Sequence, residues 1–234
     1  MGGLFKRAVR RVAGTHYLLE RMIYYRNPRR YWTHRGGERY FQEQESYESR
    51  RLRSEFLTSE IARLSAKTIL EIGCGYGKQL LNLRKKTGVR LFGIDFSHSQ
   101  LLKARELNLS PLAEANASQL PFQDNSFDLV FSSAVILHNP PKTAERVLSE
   151  MIRTSKGYLV HNEDRNVGSI RYGYDLTVFY QSLGFTIIKS SQFPGISDPT
   201  KTQFLMVHFS PEQKLNINST KISEAFRRAE RISH

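Results

Sequence analysis

The stretch Thr68-Ile-Leu-Glu-Ile-Gly-Cys-Gly-Tyr-Gly-Lys78 limits what this chain can become more than any other. Ile69, Leu70 and Ile72 form an apolar run broken only by Glu71, and the run stops at Gly73, Gly75 and Gly77. A short apolar run bounded by glycine marks a parallel strand buried on both faces. Apolar residues return at Leu80, Leu81 and Leu83 with the spacing of a helix. Strand, glycine turn and helix in that order bring backbone N–H groups up to a nucleotide, because a residue without a β-carbon lets the chain pass against the ligand. The spacing is not that of the dinucleotide fingerprint, Gly-x-Gly-x-x-Gly, since the sixth position from Gly73 is Lys78. The pattern here is Glu-x-Gly-x-Gly-x-Gly.

A chain of 234 residues suits one α/β domain with extensions and can bury a substantial core. With 39% hydrophobic and 11% aromatic residues, the composition is globular rather than disordered. Aliphatic stretches such as Ala134–Leu137 are only a few residues long, so neither a bilayer span nor a secretory signal is expected. The single cysteine, Cys74, excludes an internal disulfide framework and fits a reducing, cytoplasmic setting. Two roles are open to Cys74, a reactive thiol or a small residue between two glycines, and no basic neighbour in sequence activates it.

Downstream, Val89-Arg-Leu-Phe-Gly-Ile-Asp95 has the form of a second strand ending in an acid, 18 residues beyond Gly77. A carboxylate at this point can accept both hydroxyls of a ribose; entry to the next helix is the alternative role. Ser97-His-Ser-Gln100 has the form of a capping box, which would leave Asp95 free to face a ligand. Pro111–Ala115 is a third strand. It is followed by Asn116-Ala-Ser-Gln-Leu-Pro-Phe-Gln-Asp-Asn-Ser-Phe-Asp-Leu-Val-Phe131.

Together, the glycine turn, Leu120-Pro121-Phe122 and Asp124-Asn-Ser-Phe-Asp128 resemble the class I, Rossmann-like S-adenosylmethionine-dependent methyltransferases of the small-molecule group, over about residues 65–209. The chain departs from that pattern at Asn116, where the family more often has Asp. Asn keeps a carbonyl acceptor for the adenine amino group and loses the charge. The resemblance implies an α/β fold with a doubly wound, mostly parallel seven-stranded sheet. It divides the chain into a basic helical N-terminal extension at 1–64, a cofactor-binding domain at 65–209 and a polar C-terminal tail at 210–234, in which a short helix is expected near Ile222–Ile232. The implied cofactor is S-adenosylmethionine. Gly73, Cys74, Gly75 and Gly77 would admit its methionine part, Glu71 would support that end, Asp95 would hold ribose, and Asn116 with Ala117 would read adenine. Phe96 and Ser133 complete the implied cofactor set.

The fourth strand, roughly Phe127–Ser132, leads into Ser133-Ala-Val-Ile-Leu-His138, a region that in the family faces the transferred methyl group. His138 is therefore a candidate general base, with a side chain that titrates near neutrality; a structural helix-terminal histidine is the alternative. Asn139-Pro140-Pro141 begins 11 residues after Asp128, too late for the Asn-Pro-Pro motif of nucleic-acid amino-methyltransferases. It reads instead as a helix start, with Asn139 at the N-cap and Pro140 in the first turn. A fifth strand at Gly157–His161 ends in the polar run His161-Asn-Glu-Asp-Arg165. Ligands bind beyond such strand ends, which makes His161 a second catalytic candidate and Glu163 a substrate contact, against the alternative of a solvated loop. No cluster has the spacing of a metal site. Leu176–Leu183 reads as a helix closed by Gly184, and Phe185–Lys189 with Gln203–Phe209 as an antiparallel pair.

The net charge of +13 is concentrated at the N-terminus, where residues 1–30 carry eight Lys or Arg and only Glu20 opposes them. Residues 3–13 have the pattern of an amphipathic helix, suited either to a membrane surface or to packing on the domain. Residues 24–41 interleave Tyr, Trp and Arg, and offer Arg35 and Tyr40 as lid and substrate contacts or as a structural cap. Residues 42–63 read as one helix. Three functions follow: methyl transfer to an oxygen or nitrogen of a small molecule, lipid headgroup or glycan, with peripheral membrane contact through residues 3–13; methyl transfer to RNA; or non-catalytic binding at a membrane surface.

Overall fold

The computed structural model describes residues 22, 24, 26–165, 171–191, 193 and 202–231. The expected helix over 3–13 and the loop over 194–199 lie outside the described residues. Seven strands of the described residues form one sheet. They are β1 (Thr68–Ile72), β2 (Arg90–Asp95), β3 (Leu112–Glu114), β4 (Phe127–Ser133), β5 (Ser155–Asp164), β6 (Thr186–Ser191) and β7 (Thr202–His208). The order is β3-β2-β1-β4-β5-β7-β6, parallel throughout except for β7, which pairs antiparallel with both β5 and β6. This is the α/β, mostly parallel seven-stranded sheet that the motifs imply.

β1 is buried at all five positions because it is paired on both edges, Leu70 opposite Phe92 of β2 and opposite Val130 of β4. Successive side chains leave the sheet on opposite faces. Leu70, Ile72, Val130, Leu159 and Val207 pack on one side with α6 (Pro141–Thr154) and α7 (Leu176–Ser182). Ile69, Leu129, Phe131, Val160 and Phe204 pack on the other with Leu57 and Ile61 of α3 (Glu48–Ala62). Strand order reverses between β1 and β4, and the crevice opens there, beyond the carboxyl ends of the strands.

The N-terminal helices cover this crevice. α1 (Pro28–Arg35) begins where Asn27 Oδ1 accepts the Arg30 N–H at 2.9 Å, with Pro28 at the first helical position. The expected helix over 42–63 is two, α2 (Glu38–Glu45) and α3. The break falls where the Ser46 hydroxyl donates to the Glu43 carbonyl at 2.8 Å, a local bond that competes with the helical ladder.

Further on, α4 (Lys78–Lys86) and α5 (His98–Glu106) follow the first two strands. Ser97 stands at the N-cap of α5 but makes no capping bond; its hydroxyl turns away to donate to the Trp32 carbonyl at 3.2 Å. The capping box expected over Ser97–Gln100 is therefore absent, and Asp95 accepts the Ser97 N–H instead, at 2.8 Å. α6 begins one residue later than expected, with Pro140 at the N-cap and Pro141 first in the helix. β5 continues through Asp164 because β7 pairs with it to that point and β4 as far as Asn162, so the polar run from His161 to Asp164 lies in the sheet rather than in a loop.

After α8 (Pro211–Leu215), α9 (Ser219–Arg231) buries Ile222, Ala225, Phe226 and Ala229 against α7. The Phe226 ring meets Tyr174 at 5.0 Å, so the stretch expected as a polar tail contributes a packed apolar face. Burial of such a ring stabilises by about 1.5–3 kcal/mol.

Candidate functional site

The crevice holds a cavity of ≈ 690 Å³, walled by the turns after β1, β2, β4 and β5 and roofed by α1 and α2. Gly73 leaves β1 at φ +64° and Gly75 follows at φ +56°, a left-handed conformation that L side chains rarely adopt. A β-carbon on Gly73 would sit 2.5 Å from Val135 Cγ2, whereas one on Gly75 would meet only Gln100, at an ordinary contact distance of 3.9 Å. The Gly75 N–H donates to Asp95 Oδ2 at 2.9 Å, and the Cys74 N–H to the Ile94 carbonyl at 2.8 Å. The ends of β1 and β2 are thus clamped together around an edge of bare backbone.

Asp95 is only 8% exposed, and burial raises its pKa to about 6 against the backbone N–H bonds that favour the carboxylate. One oxygen accepts the Gly75 N–H and the other the Ser97 N–H, the Phe96 N–H also favours the carboxylate, and a carboxylate with about four lone-pair sites still has capacity to accept. Glu71 also lines the cavity. Its Oε2 is buried without a hydrogen-bond partner among the described residues, and burial, then the nearby Asp95, raises its pKa. An unpartnered buried carboxylate oxygen is costly and calls for a polar ligand. These features fit a nucleoside with a charged tail: an open backbone edge, the Asp95 carboxylate on the cavity wall and an orphan oxygen on Glu71.

The other cofactor candidates divide. Cys74, Phe96, Asn116, Ala117 and Ser133 line the cavity. Burial pushes the Cys74 thiol up, so the reactive-thiol role is not the one its surroundings support. Asn116 Oδ1 accepts the Ser118 N–H at 3.0 Å and the Ser118 hydroxyl at 2.9 Å. Both lone pairs of the oxygen expected to meet adenine are therefore engaged. Gly77 does not line the cavity: it begins α4, and a β-carbon there would strike Leu109. Its lack of a side chain serves helix packing.

Of the catalytic candidates, His138 lines the cavity, half-buried, at the end of the short 3-10 turn Ile136–His138. Its ring lies 5.1 Å from that of Trp32, and the Tyr24 hydroxyl donates to its carbonyl oxygen. His161 is fully buried beneath the sheet, its Nδ1 2.9 Å from Ser132 Oγ and its Nε2 2.7 Å from the Tyr180 hydroxyl. Burial lowers its pKa to about 3, so it is neutral near pH 7 and out of reach of a substrate. The expectation of a catalytic His161 is corrected on that ground.

Of the substrate candidates, Arg35 and Tyr40 line the cavity, with the guanidinium 5.6 Å from the ring centroid. Glu163 does not. It is buried on the same face as His161 and accepts bonds from the Ser132 hydroxyl at 2.8 Å, the Val135 N–H at 3.0 Å and the Leu137 N–H at 3.3 Å. Its oxygens serve the loop after β4, so a direct substrate contact by Glu163 is also corrected. Among the described residues, no three His, Cys, Asp or Glu side chains stand close enough to share a metal ion.

Several cavity residues have no counterpart in the sequence reading. Arg50 and Arg53 lie one turn apart on α3, a spacing of three that places both on one helix face. Asn162 and Asp164 alternate with His161 and Glu163 along β5 and so face the opposite way. Arg53 Nη2 donates to Asn162 Oδ1 at 2.7 Å, and Arg53 Nη1 lies 3.1 Å from Asp164 Oδ1. Asn162 Nδ2 in turn donates to Ser133 Oγ at 2.8 Å.

A sheet reversed at β1/β4, a glycine edge after the first strand and an acid closing the second define the Rossmann-like methyltransferase class. Residues 69–157 match the family model described as a methyltransferase domain. That segment, less than half of the chain, is similar to methyltransferase domains. It is 32% identical over 126 residues to an O-methyltransferase, resE, of Aspergillus sclerotiorum, covering 49% of this chain and 48% of that one. It is 38% identical over 95 residues to a phosphatidylethanolamine N-methyltransferase of Cereibacter sphaeroides, covering 38% of this chain and 45% of that one. The match thus spans less than half the length of either relative. Among solved structures, a phosphoethanolamine N-methyltransferase of Haemonchus contortus superposes with a TM-score of 0.67 at 13% identity, covering 91% of this chain and 53% of that one. A magnesium protoporphyrin IX methyltransferase of Synechocystis with bound SAM superposes with a TM-score of 0.59 at 16% identity, covering 82% and 97%. At these identities the superpositions speak for the fold.

Proposed function

We propose that this protein transfers a methyl group from S-adenosylmethionine to an oxygen or nitrogen of a small molecule, a lipid headgroup or a glycan. The observation that carries this is the clamp between Gly75 and Asp95, with bare backbone on one side and a buried acid lining the cavity on the other. Bound there, the cofactor supplies a methyl carbon on a positively charged sulfur, whose bonding electrons return to sulfur as the acceptor's lone pair takes the methyl.

Asp95 receives the ribose hydroxyls, Gly73 and Gly75 pass against the methionine part, and Glu71 accepts from its polar end. Phe96, Asn116 and Ala117 enclose the base. Trp32, Tyr24 and Tyr31 of the N-terminal cover exclude water from the crevice. Much of the rate in such a reaction comes from holding donor and acceptor in line, worth about 7–11 kcal/mol at best. His138, at the mouth of the loop after β4, takes the proton that an oxygen or nitrogen acceptor gives up.

Calorimetry with S-adenosylmethionine and its demethylated product tests the first step, and incubation with labelled methyl donor and fractionated cell extract identifies the acceptor. Absence of cofactor binding, with vesicle binding retained, would favour a membrane-surface protein that has kept the fold. Label entering RNA would replace the small-molecule acceptor by a nucleic acid, and the salt slope of RNA binding would measure the contribution of charge. No helix among the described residues is long and apolar enough to cross a membrane.

A further inference from the structure

The end of the cavity beyond β5 is basic. Arg53 of α3 and Arg171 line it beside Asp164, and Arg50, one turn before Arg53 on α3, lines the same cavity. Asp164 is bracketed, with Arg53 Nη1 3.1 Å from one oxygen and Arg171 Nη1 3.4 Å from the other. The Arg53 plane is fixed from three directions: Asp164, Asn162 Oδ1 at 2.7 Å, and the ring of Phe193, 4.6 Å from the guanidinium carbon. A guanidinium immobilised in this way loses little freedom when it takes a further partner, and its planar fork matches carboxylate and phosphate oxygens.

The proposed methyl donor adds a positive charge of its own. A cationic acceptor would meet like charge from both the sulfonium and the arginines, whereas an anionic one would be drawn in and aligned by them. We infer that the methyl acceptor carries an anionic group, a carboxylate or a phosphate, which docks on Arg50, Arg53 and Arg171 beyond the end of β5. The inference rests on the methyl-transfer reading above and narrows its substrate class. Ser133, which accepts from Asn162, links this anion site to the loop beside His138, so a group seated on the arginines places the rest of the acceptor at the point of transfer.

The carboxylate of the methyl donor is a second anion that could use the same arginines, and the test separates the two. S-adenosylhomocysteine is first bound to the full chain. Inorganic phosphate and acetate are then titrated separately while the fluorescence of Trp32, the one tryptophan of the chain, is followed. Saturable binding of either anion is expected in the wild type. It should weaken at least about tenfold in Arg53→Gln and in Arg50→Gln, be partly restored in Arg53→Lys, and be unchanged in Arg105→Gln. The affinity for S-adenosylhomocysteine should stay within about twofold of wild type in all of them.

Two results overturn the inference: binding of S-adenosylhomocysteine with no binding of either anion, or arginine variants that lose S-adenosylhomocysteine rather than the anion. Failure of the wild type to bind S-adenosylhomocysteine at all would instead sink the methyl-transfer reading. Arg50→Gln keeps the test decisive if Arg53→Gln does not fold, because Arg50 stands outside the Asp164 bracket.

Discussion

Glu163 accepts the N–H of Val135 at 3.0 Å, and through that bond the end of β5 holds the loop that follows β4. Val135 in turn fills the space a β-carbon on Gly73 would need. A carboxylate that never reaches the crevice therefore sets one of its walls. The same carboxylate accepts from Ser132, whose hydroxyl oxygen is also 2.9 Å from His161 Nδ1, so three buried polar side chains on the α7 side of the sheet act as one support.

Glu163 gives the protein a pH-dependent stability. Burial raises its pKa from 4.5 to about 7, while the bonds from Ser132, Val135 and Leu137 oppose the shift. An acid raised in the fold binds its proton more tightly folded than unfolded. Its contribution to stability is therefore complete below pH 4.5 and is lost as the pH rises through about 7. Thermal melts of Glu163→Gln across that window should show a shallower fall than the wild type, and an identical slope would refute the assignment.

His161 should act in the opposite sense. Its pKa is lowered from 6.5 to about 3 by burial, so the unfolded chain takes up the proton first and stability is lost as the pH falls through that range. His161→Asn is expected to cost roughly 1–3 kcal/mol by stranding Tyr180 and Ser132, and to reduce the acid-side loss. Turnover per folded molecule should stay near wild type, since the side chain lies under the sheet. A collapse of turnover with stability intact would restore His161 to the chemistry.

Asp95 predicts how cofactor affinity depends on pH. Only the carboxylate can accept from two ribose hydroxyls while it also holds the Gly75 and Ser97 N–H groups. The affinity for S-adenosylhomocysteine should therefore fall as the pH drops below about 6. Asp95→Asn should bind about tenfold more weakly at pH 7 and lose most of this dependence. An unchanged dissociation constant in Asp95→Asn would remove the residue from the site.

The two glycines should fail differently. Gly73→Ala meets Val135 in addition to its positive φ, so it should lower the melting temperature markedly. Gly75→Ala has room, with its nearest contact at 3.9 Å, and should lose only about 1–2 kcal/mol from its left-handed backbone. Its new methyl group would occupy the crevice, so cofactor affinity should drop by more than stability does. Calorimetry and melting curves on the two variants distinguish a packing role from a ligand-facing one.

Asp128 serves as a control for stability without function. At the opposite end of the sheet it accepts the Lys67 and Thr68 N–H groups, both at 2.9 Å, and pairs with Lys156 at 2.8 Å. Burial would raise its pKa, but Lys156 and those N–H groups outweigh it and hold the value to about 2. The resulting stability is present above pH 3.8 and lost as the pH falls through about 2. Asp128→Ala should cost about 2–3 kcal/mol while leaving cofactor affinity unchanged.

Much of the crevice was legible along the chain because it depends on local chemistry. Gly73 and Gly75 announce a close approach of backbone, Asp95 closes an apolar strand at the right distance, and Leu120–Asp128 marks the entry to β4. The polar end of β5 was visible too, but read as a loop. As part of a strand paired on both edges it obeys a two-residue alternation, and one step of register separates His161 and Glu163, which face α7, from Asn162 and Asp164, which face α3. The linear order of residues shows that these side chains are polar; the pairing with β4 and β7 decides which of them meet a ligand.

The amino-acid sequence by itself therefore determined the strand–turn–helix units and their cofactor edge, since these arise from the steric freedom of glycine and from apolar runs a few residues long. The tertiary structure decided the rest: the descent of α1 over the crevice, the meeting of Arg53 with Asp164 across 111 positions, and the burial of His161. Those outcomes depend on which helix covers which face of the sheet, and that choice is made by the packing of distant residues, which no local pattern encodes.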